Sequence, residues 1–321
     1  MKLLKKFKGK FDKEIGNWLG KKIKQAEKID KTASLLVKVI KEFIENGGKR
    51  IRPALFYYAY KTYSNKNLNQ VFRLSFVFEL FHSFALIHDD IIDNSNLRRG
   101  KPTVHKKYDL STAILAGDLA LTFANEIFFD LIKNEKAINE YNRFKKEVLL
   151  GEYLDYKKIN DIKKIMRLKT AYYSFVRPVT IALLLANINQ EEINRWKKIL
   201  IKIGIVFQLK DDFIGIFGNE KEIGKSVISD FAEGKNTLIV ESFKKLADKK
   251  ELNKFKKIFG KKEVKKEDFI WYINKLKEKK IDKKIKKLIY LNCEEIKNEL
   301  KLNFKECLLK EILNEIILFL Q

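Results

Sequence analysis

The chain has 321 residues, 45% of them hydrophobic, with only 3 prolines and 14 glycines, enough apolar material for a large core and too few breakers for a fold of strands and tight turns. Its 67 basic and 42 acidic residues give a formal net charge of +25, which excludes an acidic surface and would suit nucleic acid, an anionic membrane or anionic small molecules. A solvated lysine-rich surface accounts for the charge more simply than a nucleic-acid face, because no interleaved aromatic–basic pattern accompanies it.

The N-terminal segment carries Phe7, Phe11, Ile15, Trp18, Leu19 and Ile23 at helical spacing, with lysines on the other faces. Such a stripe packs on the protein's own core more often than on a membrane surface. No unbroken apolar run approaches the ~18 residues that span a bilayer, and no signal-peptide core is visible. A polar loop at Asn46–Lys49 opens the segment Gly47-Gly48-Lys49-Arg50-Ile51-Arg52-Pro53, which puts three cations on a glycine hinge. Glycine allows close backbone approach, and Lys and Arg are the usual phosphate clamps.

Val71–Asp93 shows the strongest helical period, with Phe72, Phe76, Leu80, Phe84 and Ile87 on one face. It ends in His88-Asp89-Asp90-Ile91-Ile92-Asp93, where Asp89 and Asp93 are four residues apart and share a face. Like charges there need an offsetting partner: solvent, a base or a cation. Oxygen ligands on one face suit Mg²⁺ shared with substrate phosphates. A solvated helix end is the alternative for such a cluster taken alone. The loop Asn94–Lys101 then supplies Arg98 and Arg99, which either clamp an anion or simply neutralise the aspartates.

Further helices are expected over Leu110–Phe129, Tyr141–Tyr156, Ile165–Ala186, Glu192–Phe217 and Thr237–Leu246, with three more between Lys265 and Leu320. The connection Asn187–Gln190 is short, and Gly218–Gly234 is longer. Glu192–Phe217 contains Gln208 and a second pair, Asp211-Asp212, with Gly215 where a third carboxylate would complete the pattern. Gly224-Lys225 and Gly234-Lys235 trail it as the arginines trail the first cluster. Cys293 and Cys307 fall in one helical tract, about 21 Å apart on a continuous helix and beyond disulfide reach. With no CxxC pattern this fits a reducing cytoplasm. No linker, low-complexity tract or strict repeat is present, so residues 1–321 are expected to form a single all-α domain. In that bundle the two acidic helix ends would face each other across a cavity.

The order of GGKRIRP at 47–53, HDDIID at 88–93, LRRGKPTVH at 97–105, AGD at 116–118, GEYLD at 151–155, KTA at 169–171, FQLKDDFIGIFG at 207–218 and GKSVISDFAEGKNT at 224–237 resembles the trans-isoprenyl diphosphate (polyprenyl) synthase family. The likeness runs from about Gly47 to Asn236. It implies an all-α bundle around a central cavity, usually a homodimer. It implies a magnesium-dependent, head-to-tail condensation of isopentenyl diphosphate with an allylic diphosphate. By motif, Asp89, Asp93 and Asp211 would hold three Mg²⁺ ions, supported by Asp90 and Asp212. Arg98, Lys169, Lys225 and Lys235 would hold the allylic diphosphate; Lys49, Arg52, His82 and Arg99 would hold isopentenyl diphosphate. Thr170 and Gln208, with Lys169, would stand near the developing carbocation, and Asp155 and Asp230 match outer acidic positions. Gly215 and Glu152 depart from the commoner pattern.

In this family the helix wall upstream of the first cluster limits chain length. Phe84 and Phe81 lie about 7 and 12 Å before Asp89 along a helix, and Ala85 is small. That combination resembles a C20 (geranylgeranyl) type, with Phe81 able to stop growth at C15 (farnesyl). A class I terpene cyclase would need one diphosphate site and no GGKRIRP loop. A non-catalytic partner subunit would be expected to lose metal aspartates, and a basic nucleic-acid-binding protein would show salt-sensitive DNA binding instead. The expected partners are therefore the two diphosphates and a second copy of the chain, in the cytoplasm, with no nucleic acid and at most peripheral membrane contact.

Overall fold

In the computed structural model, residues 2–218, 227–261 and 263–321 are described; Lys225 lies outside the described residues. In chain order the helices are α1 (Lys2–Glu27), α2 (Ser34–Glu45), α3 (Ile51–Tyr63), α4 (Leu68–Leu74), α5 (Phe76–Ile92), α6 (Val104–Lys107), α7 (Leu110–Leu131), α8 (Glu135–Tyr156) and α9 (Ile162–Ile165). A π-helix (Met166–Val176) follows. Then come α10 (Arg177–Leu185), α11 (Gln190–Phe217), α12 (Ser229–Glu233), α13 (Leu238–Leu246), α14 (Lys249–Ile258), α15 (Lys266–Glu278), α16 (Ile281–Asn303) and α17 (Leu308–Leu320). Strand pairing among the described residues is confined to one hairpin, β1 (Leu97–Arg98) against β2 (Lys101–Pro102).

Helix starts follow capping chemistry where it is present. Asp109 accepts from the Thr112 amide at 2.8 Å at the start of α7, and Asp248 and Glu251 form a reciprocal capping box at the start of α14. The long expected helix at Val71–Asp93 is broken at Ser75, whose hydroxyl bonds the Phe72 carbonyl at 2.5 Å. The expected helix Ile165–Ala186 is instead a π-helix over its first half.

Contacts gather into two compact units. The first comprises residues 1–143, 177–195 and 305–316. Its α1 buries Leu4, Phe7, Phe11, Ile15 and Leu19, with Phe11 edge-on to Phe76 at 5.3 Å, so the N-terminal stripe packs on this unit's core. The α5 and α7 helices pack together, with Ala113, Ala116, Gly117, Ala120 and Ala124 of α7 buried. Small residues bring the two backbones close. The second unit comprises residues 144–176, 196–304 and 317–321. Its core includes a ring cluster of Phe231, Phe243, Phe255 and Tyr272, with centroids 4.9–6.0 Å apart. Each such pair adds roughly 1 kcal/mol beyond its burial.

Two helical stretches, Leu68–Ile92 and Leu110–Leu131, are long and apolar enough by composition to cross a bilayer, although a few polar residues interrupt each, so that neither is an unbroken apolar run. In the first, 72% of the apolar window is buried inside the protein; in the second, 44%. Both cysteines are free, and Cys307 lies in the break before α17 rather than in the helix that holds Cys293.

Candidate active site

The first unit's acidic turn is the end of α5. Asp93 is its C-cap, and the Asp93 amide donates to the Asp89 carbonyl at 2.9 Å. Three carboxylates at a helix C-terminus add to the negative end of the helix dipole, so the position demands cations. Arg98 answers. Its Nε donates to both oxygens of Asp90 at 2.8 and 2.9 Å, and a terminal nitrogen reaches Asp89 at 3.1 Å. Burial pushes the Asp90 carboxyl up to about 6, with Arg98 pulling the other way.

Arg99, its neighbour in sequence, goes elsewhere. Arg99 and Gly100 have φ of +54° and +76°, the two positive values that a tight I′ hairpin turn requires. The turn sends Arg99 to the glycine loop, where it donates to the Gly47 carbonyl. A Cβ on Gly48 (φ +121°) would lie 2.8 Å from a terminal nitrogen of Arg50 and 3.0 Å from one of Arg99. Only glycine fits between them.

The three cations of that loop divide. Lys49 is exposed and Arg52 partly so, but Arg50 is 2% exposed and points inward, so it is no phosphate clamp. It binds Asp12 of α1, Glu79 of α5 and the carbonyls of Gly47 and Ile44. His82 stands one turn beyond Glu79. Burial, with Arg52, Arg99, Arg98 and Arg50 around it, holds its imidazole well below the ordinary value, so it is neutral at pH 7. Phe81 and Phe84 are buried with rings 5.4 Å apart, and Ala85 is half-buried. A His–Asp pair that sequence reading misses also stands here: His88 Nε2 lies 3.8 Å from Asp118 and 3.2 Å from the Ile114 carbonyl. A Cβ on Gly117 would meet that imidazole at 2.4 Å, so the glycine makes its space.

The second unit assembles the other predicted residues around the π-helix. Lys169 donates to Glu152 at 3.0 Å and to Asp155 at 2.8 Å, so the Glu152 departure places a charge where the ammonium rests. A Cβ on Gly151 would lie 2.9 Å from Leu168, and one on Gly204 would lie 2.4 Å from the Ala171 Cα. Two glycines thus let α8 and α11 close on the π-helix, a wide-turned segment of the kind often found at functional sites.

The Thr170 hydroxyl donates to Gln208 Oε1, and Gln208 Nε2 donates to Asp212 at 2.7 Å. Burial pushes Asp212 up to about 7, opposed by the Gln208 bond and reinforced by Asp211 and Asp230. Asp211 itself is exposed. Lys235 lies 3.3 Å from Asp230 and 2.8 Å from Glu233. At Gly215 a Cβ would fall 2.2 Å from Asp230 Oδ2. The carboxylate missing from position 215 is therefore matched by one from Asp230, which needs the glycine.

The donor set of both clusters is oxygen only, which fits Mg²⁺. Among the described residues no three His, Cys, Asp or Glu side chains gather into a preformed cage, so such ions would take further oxygens from water and phosphate, the usual habit of Mg²⁺.

Comparison with known proteins agrees with this inventory. The polyprenyl synthetase family model matches residues 33–276. The chain is 36% identical over 240 residues to the short chain isoprenyl diphosphate synthase of Methanocaldococcus jannaschii, covering 72% of each protein. It is 32% identical over 209 residues to the geranylgeranyl diphosphate synthase of Sulfolobus acidocaldarius, covering 61% of this chain and 62% of that one. Its fold superposes with a TM-score of 0.84 on the geranylgeranyl pyrophosphate synthase of Corynebacterium glutamicum complexed with isoprenyl diphosphate and magnesium, at 26% identity over 97% of this chain and 98% of the other. The match takes in the glycine loop, both aspartate pairs and the π-helix lysine, and on these grounds the chain, with its all-α isoprenoid synthase fold, belongs to the polyprenyl synthetase family.

Proposed function

We propose that residues 1–321 act as a single synthase domain and that the residues just described divide the work of one prenyl transfer. The reaction is the head-to-tail condensation of isopentenyl diphosphate with an allylic diphosphate, giving a C15 or C20 product, and the chain is a trans-prenyltransferase. C20 is the reading favoured by Phe84 and the small Ala85.

Asp89, Asp93 and Asp211, supported by Asp90 and Asp212, would hold Mg²⁺. When bound, Mg²⁺ neutralises charge growing on a leaving diphosphate. Arg98, Lys169, Lys225 and Lys235 bind the allylic diphosphate. Lys49, Arg52 and Arg99 bind isopentenyl diphosphate, and neutral His82 donates a hydrogen bond to it. As the allylic C–O bond breaks, the Thr170 and Gln208 oxygens face the allylic cation. The isopentenyl alkene attacks that cation, the new C–C bond forms, and the proton lost from the adjacent carbon passes to the released diphosphate. The low-dielectric walls strengthen each charge interaction. A second copy of the chain covers the exposed apolar face of α7, where Leu110 and Leu115 are each 53% exposed. The dimer works in the cytoplasm.

One observation carries the residue-level reading: cations assigned to the allylic diphosphate rest on carboxylates, Arg98 on Asp89 and Asp90, Lys169 on Glu152 and Asp155, Lys235 on Asp230. A phosphate arriving with divalent ions can exchange those partners without uncovering a bare charge. The test incubates purified protein with Mg²⁺, labelled isopentenyl diphosphate and, in turn, dimethylallyl, geranyl and farnesyl diphosphate, then sizes the products. Growth stopping at C20 or C15 is expected. Turnover of an allylic diphosphate without isopentenyl diphosphate would indicate a cyclase; no Mg²⁺-dependent turnover would overturn the proposal.

A further inference from the structure

We propose that Arg50 and Glu79, with Asp12, form a buried positioning clamp that sets the isopentenyl-diphosphate loop, a role distinct from phosphate binding and resting on the site reading above. All three nitrogens of the Arg50 guanidinium are engaged. Nε donates to Asp12 Oδ1 at 2.7 Å, one terminal nitrogen to Glu79 and to the Gly47 carbonyl at 2.8 Å, and the other to the Ile44 carbonyl. These four bonds tie together α1, α5, the end of α2 and the glycine turn. No lysine can make that fork.

The backbone shows why the clamp is needed. Arg50 sits at φ +56°, and Gly47 and Gly48 at +113° and +121°. Three of the four residues 47–50, all but Lys49, hold left-handed or glycine-only conformations. Such a segment keeps one shape only when its surroundings over-determine it. The Gly47 carbonyl is gripped from two sides, by Arg50 and by Arg99. Moving Arg50 therefore moves both the loop that carries Lys49 and the seat of Arg99.

Glu79 has a second task. Arg50, Arg52, Arg98 and Arg99 all act on His82. Guanidiniums so close together repel one another; Arg98 has Asp89 and Asp90, and buried Glu79, 4% exposed, is the carboxylate that acts on both Arg50 and Arg99. It opposes the effect of burial on both Arg50 and Arg99. It also lies one helical turn before His82 on α5, so the same helix face carries the counter-charge and the phosphate donor.

Steady-state kinetics of Arg50→Lys, Glu79→Gln and Asp12→Asn, with each substrate varied, test the clamp. Asp12, a third exposed, gives a variant with the mildest burden on folding. Arg50→Lys and Glu79→Gln are expected to raise KM for isopentenyl diphosphate ~10-fold or more, with KM for the allylic substrate and kcat within about two-fold. Asp12→Asn should shift the same constant in the same direction by less. The double variant Arg50→Lys/Glu79→Gln should cost little more than either single change, since both break one unit. Amide hydrogen exchange at Gly47–Lys49 should quicken in each variant without any substrate present. A parallel rise in both KM values with a fall in kcat would mark a merely structural pair and overturn the proposal, as would unchanged exchange at Gly47–Lys49. If wild type neither binds nor consumes isopentenyl diphosphate, the site reading fails instead, and the exchange result still decides whether Arg50 holds the loop.

Discussion

Asp90 in the first unit is gripped by a guanidinium, whereas Asp212 in the second takes its hydrogen bond from the neutral amide of Gln208. Both sit in an Asp-Asp pair near the end of an apolar helix, and the two sequences look like copies. Their surroundings differ in kind. The first pair is compensated within its own unit by Arg98; the second is crowded by Asp230 and ends a chain of hydrogen bonds that starts at Thr170. Similar acidic motifs therefore meet different partners, a guanidinium in one and a neutral amide in the other.

The largest effects should come from the carboxylates themselves. Asp89→Ala and Asp211→Ala are each expected to lower kcat by about 10³-fold, the scale of losing charge stabilisation in a dry site. Titrating Mg²⁺ against turnover should show the Asp211 variant needing more metal than wild type. An Asp211 variant with wild-type turnover would break the comparison.

Next is Lys169→Ala, expected to cost about 10²-fold in kcat/KM for the allylic substrate by steady-state kinetics, because the allylic diphosphate loses a cation and Glu152 and Asp155 are left beside it uncompensated. Two glycines, one in each unit, extend the comparison. Gly117→Ala crowds His88 and Gly215→Ala crowds Asp230, and each overpacking should cost roughly 1–3 kcal/mol of stability by denaturant titration. Only Gly215→Ala should also cut turnover, by about 10-fold. Equal loss of activity in both would remove the special status of Asp230.

The pH dependence separates the two pairs more finely. A carboxyl whose folded pKa is raised binds more protons folded than unfolded between the two values, so stability falls as pH rises through that interval. Asp90 contributes from the ordinary carboxylate range to about 6, and Asp212 continues to about 7. Thermal unfolding in EDTA should therefore show stability falling from pH 6 to 7, and Asp212→Asn should flatten that segment while leaving the lower one. The smallest effect on rate is expected from Phe81→Ala/Phe84→Ala, which should lengthen the product on a sizing gel with kcat within a few-fold. Unchanged length would reject that wall.

Much of the fold was legible because helical period and capping act over a few residues. α7 and α11 start and end within about two residues of the expected bounds, the scatter usual for helix ends. The π-helix was not legible. Gly151 and Gly204 of other helices pack closely against it, and the period of Met166–Val176 alone reports neither those contacts nor the wider turn. In the site, residue types and their order were plain, but Arg50 reads as one cation among three.

The sequence by itself determined the helical architecture, the oxygen-rich clusters and the order of cations behind them, since these depend on side-chain chemistry and short-range spacing. Tertiary structure alone decided which groups Arg98 and Arg99 rest on once the hairpin turn parts them, that Arg50 faces inward, and that Asp230 occupies the space at Gly215. Each of those outcomes depends on a turn, a buried counter-charge or a missing Cβ meeting a group from elsewhere in the chain. Such meetings are set by packing, which local sequence does not encode.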